Sequence, residues 1–228
     1  MKYYTYKLDL TVLNVLTVLL FVFMTILTYL ITGNLSFIEN INLLSFIIII
    51  LWMFLHEILH GIGFLSLGKV KRRNVVFGAE IEKGIFYCMC KERISKINIV
   101  IALVFPLFFI GIVTYVLGLF LNSDILILAS IFNISGAIGD ILMLIDIIMM
   151  PRDINYLDLD DNTSFTILSN EDLSNKKYFS IKLEKFGKYT EKIKAKNFSK
   201  IIVSKYSKYF LFFYIILIIV AIIDVLGA

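Results

Sequence analysis

The chain has 228 residues, is 59% hydrophobic and has a mean hydropathy of +0.88. Composition this apolar excludes an ordinary soluble domain and points to an all-α polytopic membrane protein, with about five transmembrane helices and a small cytoplasmic β-hairpin. The formal net charge of +4 needs no nucleic-acid partner, because the 22 Lys and Arg residues are confined to three segments in a pattern that topology explains.

In chain order, five runs approach or exceed the roughly 20 residues needed to cross a bilayer. They are Leu10–Thr32, Asn42–Leu67, Asn98–Leu121, Ile125–Met150 and Tyr209–Leu226. The first is longer than the apolar core of a cleavable signal peptide and has no small-x-small site after it, so it reads as a retained span. Lys2 and Lys7 precede it, eight basic residues fall between Lys69 and Lys96, and twelve fall between Arg152 and Lys208. The positive-inside rule then gives a multi-pass protein of the cell membrane, with a cytoplasmic N-terminus and an external C-terminus.

Four parts follow: 1–41, a first span and external loop; 42–150, a core of three spans; 151–208, a cytoplasmic basic segment; and 209–228, a last span. Between the second and third spans, Asn74–Cys90 reads as a β-hairpin with its turn at Glu82-Lys83-Gly84. Pro106 interrupts the third span and is expected to kink it or leave carbonyls free. A strand-like run covers Ser164–Leu168. Lys182, Lys185, Lys188, Lys192, Lys196 and Lys200 then recur at helical steps suited to anionic lipid headgroups. Cys88 and Cys90 face a reducing compartment and read as strand residues.

The chemistry concentrates in the second span. Both histidines of the chain lie in His56-Glu57-Ile58-Leu59-His60. Positions i and i+4 of a helix share a face, so the two imidazoles can grip one metal ion, with Glu57 beside it as the base for a water. Ionisable side chains at this depth in a membrane are expensive, which ties them to function.

A catalytic zinc usually has three protein ligands and an open position. With no third histidine, the third ligand must be a carboxylate or a thiolate. Glu39, Asp124 and Asp146 lie near the ends of spans, whereas Asp140 is deep. His56 falls 14 residues into the second span and Asp140 falls 15 into the fourth. At about 1.5 Å per residue both lie roughly 21–23 Å from the external end. Asn133, Gly136, Ala137 and Asp140 would form a small and polar stripe on one helical face, with Gly139 beside it and Gly61 and Gly63 on the facing span. Asn133 suits an interhelical hydrogen bond, or a contact to substrate backbone.

The run from His56 to Phe64, together with Tyr87-Cys88, Pro106-Leu107 and Asn133-Ile134-Ser135-Gly136-Ala137-Ile138-Gly139-Asp140, resembles the zincin peptidase family of bacterial membrane proteins. That family is distantly similar to the site-2 proteases, and the resemblance covers about Leu51 to Leu168. It implies that His56 and His60 bind zinc, that Asp140 is the third ligand and that Glu57 is the catalytic acid/base. Site-2 proteases usually carry the ligand aspartate in a Leu-Asp-Gly-type motif, where this chain has Ile138-Gly139-Asp140-Ile141. The hairpin is similar to strands that hold extended substrate by edge pairing, which makes Tyr87 and Cys88 candidate substrate contacts.

The expected activity is a zinc endopeptidase acting on a membrane protein or peptide near the cytoplasmic side. The rivals are a non-catalytic zinc-binding adaptor and a metal transporter. Glu57 argues against the first, since a structural site does not need it. The single compact cluster argues against the second. The oligomeric state is not readable from the sequence.

Overall fold

The structure, a computed structural model, describes residues 2–66, 70–80, 85–158, 164–173 and 184–185. The fifth apolar run at 209–226 lies outside them, as does nearly all of the lysine-rich stretch and the hairpin turn. The described chain is mostly helical. Helix α1 is Leu10–Thr32, α2 is Ser36–Glu39, α3 is Leu43–Ser66 and α4 is Lys96–Pro106. A π-helical segment, Leu107–Val113, leads into α5 (Thr114–Leu121), and α6 (Asp124–Gly136) and α7 (Ile138–Met149) follow.

Three of these helices are long and apolar enough to cross a membrane: Thr11–Thr32, Leu43–Ser66 and the combined Lys96–Leu121. In such stretches the helix satisfies every backbone polar group internally, which overrides the β-preference of runs such as Ile47–Ile50. Asp9 starts α1 as an N-cap, its Oδ1 accepting the Thr11 N–H at 2.8 Å. The third apolar helix departs from α-geometry directly after Pro106, passing into π register over Leu107–Val113.

The expected fourth span is two helices. α6 and α7 meet at 49° around Ala137, so this pair is a broken span or a re-entrant turn. The stripe from Asn133 to Asp140 is therefore not one helical face. Among the described residues, and its own chain neighbours aside, no atom lies within 4 Å of where a Gly136 Cβ would sit.

Two antiparallel sheets accompany the helices, which amends the all-α expectation. The hairpin occurs as anticipated, with β2 (Val75–Glu80) paired to β3 (Ile85–Cys90). A five-stranded sheet in the order β4-β5-β6-β1-β7 was not anticipated. It comprises β1 (Lys2–Lys7), β4 (Ile94–Ser95), β5 (Asn155–Asp158), β6 (Ser164–Ser169) and β7 (Glu184–Lys185). Strand β6 matches the strand-like run in the sequence. β1 was read only as a basic flank, although its alternating aromatics fit a strand buried on one face.

The described residues fall into two compact units, and α3 passes from one to the other between Ile58 and Leu59. The first unit contains β1, the last turns of α3, the hairpin, α4, α7 and the sheet. Its core includes Tyr4, Tyr6, Phe64, Ile99, Leu103 and Ile147. The Tyr6 hydroxyl donates to Oδ2 of the fully buried Asp146 at 2.8 Å. Lys96 Nζ donates to the carbonyls of Ile148 and Met150 at 2.9 and 2.6 Å, satisfying groups that the end of α7 leaves open. At the base of the hairpin, the Asn74 side-chain amide donates to Glu92 Oε2 at 2.7 Å and holds that carboxyl below its ordinary range, with help from the Lys71 N–H.

The second unit contains most of α1, α2, the first part of α3, the π segment, α5 and α6. Met24, Phe37, Ile127, Leu128 and Ile131 form its core. α5 and α6 turn back on each other through Asn122, at φ 51°, with the Ser123 N–H donating to Gly118 O at 2.9 Å. A Cβ on Gly118 would sit 2.9 Å from Ile127 N, so only glycine permits this approach.

Candidate metal centre

α3 carries the motif without interruption. One ligand atom from each of His56, Glu57 and His60 lies within 4.8 Å of the others, as one turn of helix requires. His56 and Glu57 are half-buried and His60 is buried.

In the first unit, His60 is held from both sides of its ring. Its Nδ1 lies 2.8 Å from the carbonyl oxygen of Ala102 on α4. A carbonyl can only accept, so Nδ1 carries the proton and donates. Its Nε2 lies 3.2 Å from Asp140 Oδ2 on α7. Equal depth pairs Asp140 with His56, whereas its contact in this unit is with His60. Gly63 makes the approach of α4 possible, since a Cβ there would stand 2.7 Å from Ala102 Cα. Gly61 is covered by the ring of Phe77 from β2, which a Cβ would strike.

In the second unit, His56 Nδ1 lies 2.9 Å from Asn133 Oδ1 on α6. With the amide oxygen facing the ring, Nδ1 is again the donor. Asn133 is buried, and Gly111 in the π segment leaves room for its amide: a Cβ there would come within 3.3 Å of Nδ2. The interhelical role foreseen for Asn133 matches this placement, while a contact to substrate does not follow from it.

Cross-strand pairing sorts the hairpin residues. Phe77 pairs with Cys88 and Gly78 with Tyr87, so Cys88 shares the face of Phe77 and Tyr87 lies on the other. The Tyr87 ring covers Gly78. Cys90 is fully buried, with its thiol 3.4 Å from the Glu92 carbonyl. Neither cysteine forms a disulfide.

Sequence reasoning missed the carbonyl of Ala102, because a backbone acceptor leaves no mark in side-chain patterns. Its one trace is Pro106, four residues on. The partnership of His56 with Asn133 was signalled only by a polar residue in an apolar helix.

Residues 47–154 match the family model described as "Putative zincin peptidase". Over that segment, just under half of its length, the chain is similar to this family. The matched segment contains His56, Glu57, His60, Asn133 and Asp140, along with Ala102 and Pro106. No curated protein and no solved structure matches the chain.

The donor set fits zinc. Both imidazoles have Nδ1 engaged with an oxygen acceptor, the outer-partner arrangement that metal-binding histidines adopt. A cluster of two imidazoles and a carboxylate, as His56, His60 and Glu57 form, offers the nitrogen and oxygen donors that zinc takes.

Proposed function

We propose that the protein is a zinc-dependent endopeptidase that hydrolyses peptide bonds within or beside the membrane, near its cytoplasmic side. The observation that carries this reading is the paired orientation of the imidazoles. His56 and His60 stand one helical turn apart, each with Nδ1 against an oxygen, and with Glu57 they offer ligand atoms within 4.8 Å of one another. Asp140, at 3.2 Å from His60 Nε2, supplies the third ligand. The family of residues 47–154 supports a metallopeptidase, and the three long apolar helices support a membrane setting.

Zinc, when bound, supplies Lewis acidity to the attacking water and to the scissile carbonyl. Glu57 takes the proton of the water and delivers it to the departing amine, so one carboxylate serves as base and then as acid. The Ala102 carbonyl and Asn133 hold the two imidazoles against rotation, which keeps Nε2 of each on the metal side. A helical substrate must unwind locally before its carbonyl is available, and an extended segment could then lie along an edge of the β2–β3 hairpin. The exposed Lys71, Arg72, Arg73, Arg93 and Arg152 suit anionic lipid at the cytoplasmic face.

The decisive comparison is wild type against Glu57→Gln in intact membranes, reading zinc content and peptide products together. The variant is expected to keep its zinc and lose all product formation. Equal product from both proteins would overturn the peptidase assignment.

A further inference from the structure

We propose that Pro106 is a positioning residue for the metal site, acting through the backbone of Ala102 on His60. In an α-helix the carbonyl of residue 102 receives the N–H of residue 106. Proline has no N–H, and its ring pushes against the carbonyl four residues back. The carbonyl so released, Ala102 O, is the one that lies 2.8 Å from His60 Nδ1. Of the carbonyls in α4, the one that meets the histidine is the one whose intrahelical donor the sequence deletes.

Two further features point the same way. Gly63, one turn beyond His60, brings α3 so close to Ala102 that a Cβ would stand 2.7 Å from its Cα. This glycine delivers the carbonyl to the ring. On the other side, Nε2 lies 3.2 Å from Asp140 Oδ2, so the ring has an oxygen at each nitrogen and a fixed orientation. A restored N–H at position 106 would compete for the carbonyl and draw it back toward the helix axis. The imidazole would then lose the partner that fixes its orientation. The proposal rests on the zinc reading above for its consequence, while the hydrogen bond it starts from is seen directly.

The test uses full-length protein in detergent micelles, labelled with ¹⁵N-histidine. The chain has only two imidazoles, which a His56→Gln sample assigns. Two quantities are read: solvent exchange of the His60 Nδ1 proton, and zinc affinity by competition with a chromophoric chelator. Three proteins are compared: wild type, Pro106→Ala, and a chain with lactic acid at position 106, an ester that also lacks the N–H. Wild type and the ester are expected to protect the Nδ1 proton and bind zinc alike. Pro106→Ala is expected to exchange it faster and to bind zinc about 10-fold more weakly.

An ester that behaves like Pro106→Ala would show that ring shape, not the missing donor, matters, and would overturn the proposal. So would a Pro106→Ala protein with wild-type exchange and affinity. If Pro106→Ala does not fold, wild type and the ester still decide, since an unprotected Nδ1 proton in either refutes the relay. Failure of wild type to bind zinc would instead refute the metallopeptidase reading, and the proton exchange would still report on Pro106.

Discussion

Gly63→Ala is the sharpest test of how the His60 end of the site is built. The new Cβ would lie 2.7 Å from Ala102 Cα, where ordinary contacts begin at 3.4 Å, so about 0.7 Å must be found. The obstacle is backbone, not the tip of a side chain, and α4 as a whole must move. If that movement falls along the hydrogen bond from His60, its 2.8 Å length grows to roughly 3.5 Å, the limit at which such a bond ceases to count. Overpacking of this kind costs about 1–3 kcal/mol, and losing the outer partner of a metal-binding histidine weakens metal affinity about 10–100-fold. Stability is read by denaturant titration in mixed micelles and affinity by chelator competition. Gly136→Ala is the control, because its Cβ would meet open space. It should be neutral or stabilising by up to about 1 kcal/mol. Equal losses in the two variants, or wild-type behaviour of Gly63→Ala, would refute the close-approach argument.

Asn133→Leu should weaken zinc binding about 10–100-fold by removing the acceptor for His56 Nδ1, while Asn133→Asp should retain most of the affinity; chelator competition distinguishes them. Gly61→Ala should destabilise by about 1–3 kcal/mol through its clash with the Phe77 ring, and Phe77→Leu in the same chain should recover part of that loss in a double-mutant cycle. Tyr6→Phe should cost about 1–3 kcal/mol in denaturant titration, since it withdraws a donor from the buried Asp146 carboxyl.

What the sequence made legible follows from which forces leave a one-dimensional trace. Desolvation writes itself as apolar runs, so α1, α3 and the helix from Lys96 to Leu121 were placed within two or three residues. Helical periodicity put His56 and His60 on one turn, and β-branching with a turn signal marked the hairpin. The bend between α6 and α7 was hidden because apolarity continues through Gly136 and Ala137 while the geometry does not. The equal-depth estimate for His56 and Asp140 assumed a straight fourth span. The actual contact of Asp140 with His60 arises on the far side of that bend. The central sheet was hidden for a different reason. Its strands are short and scattered, and β1 owes its place to partners more than 150 residues away.

That separation bears on how the molecule is assembled. β1 pairs on one side with β6, from Lys2 opposite Ser169 to Lys7 opposite Ser164, and on the other with β7. It leaves the ribosome before either neighbour, and both are synthesised only after the apolar helices that separate them from it have emerged. The N-terminal strand must therefore wait, with its tyrosines uncovered, until the intervening helices are in place. Closing so long a loop is slow, and it makes the sheet a late event in biogenesis. In a pulse-labelled population, protection of this strand from protease should lag behind insertion of the helices.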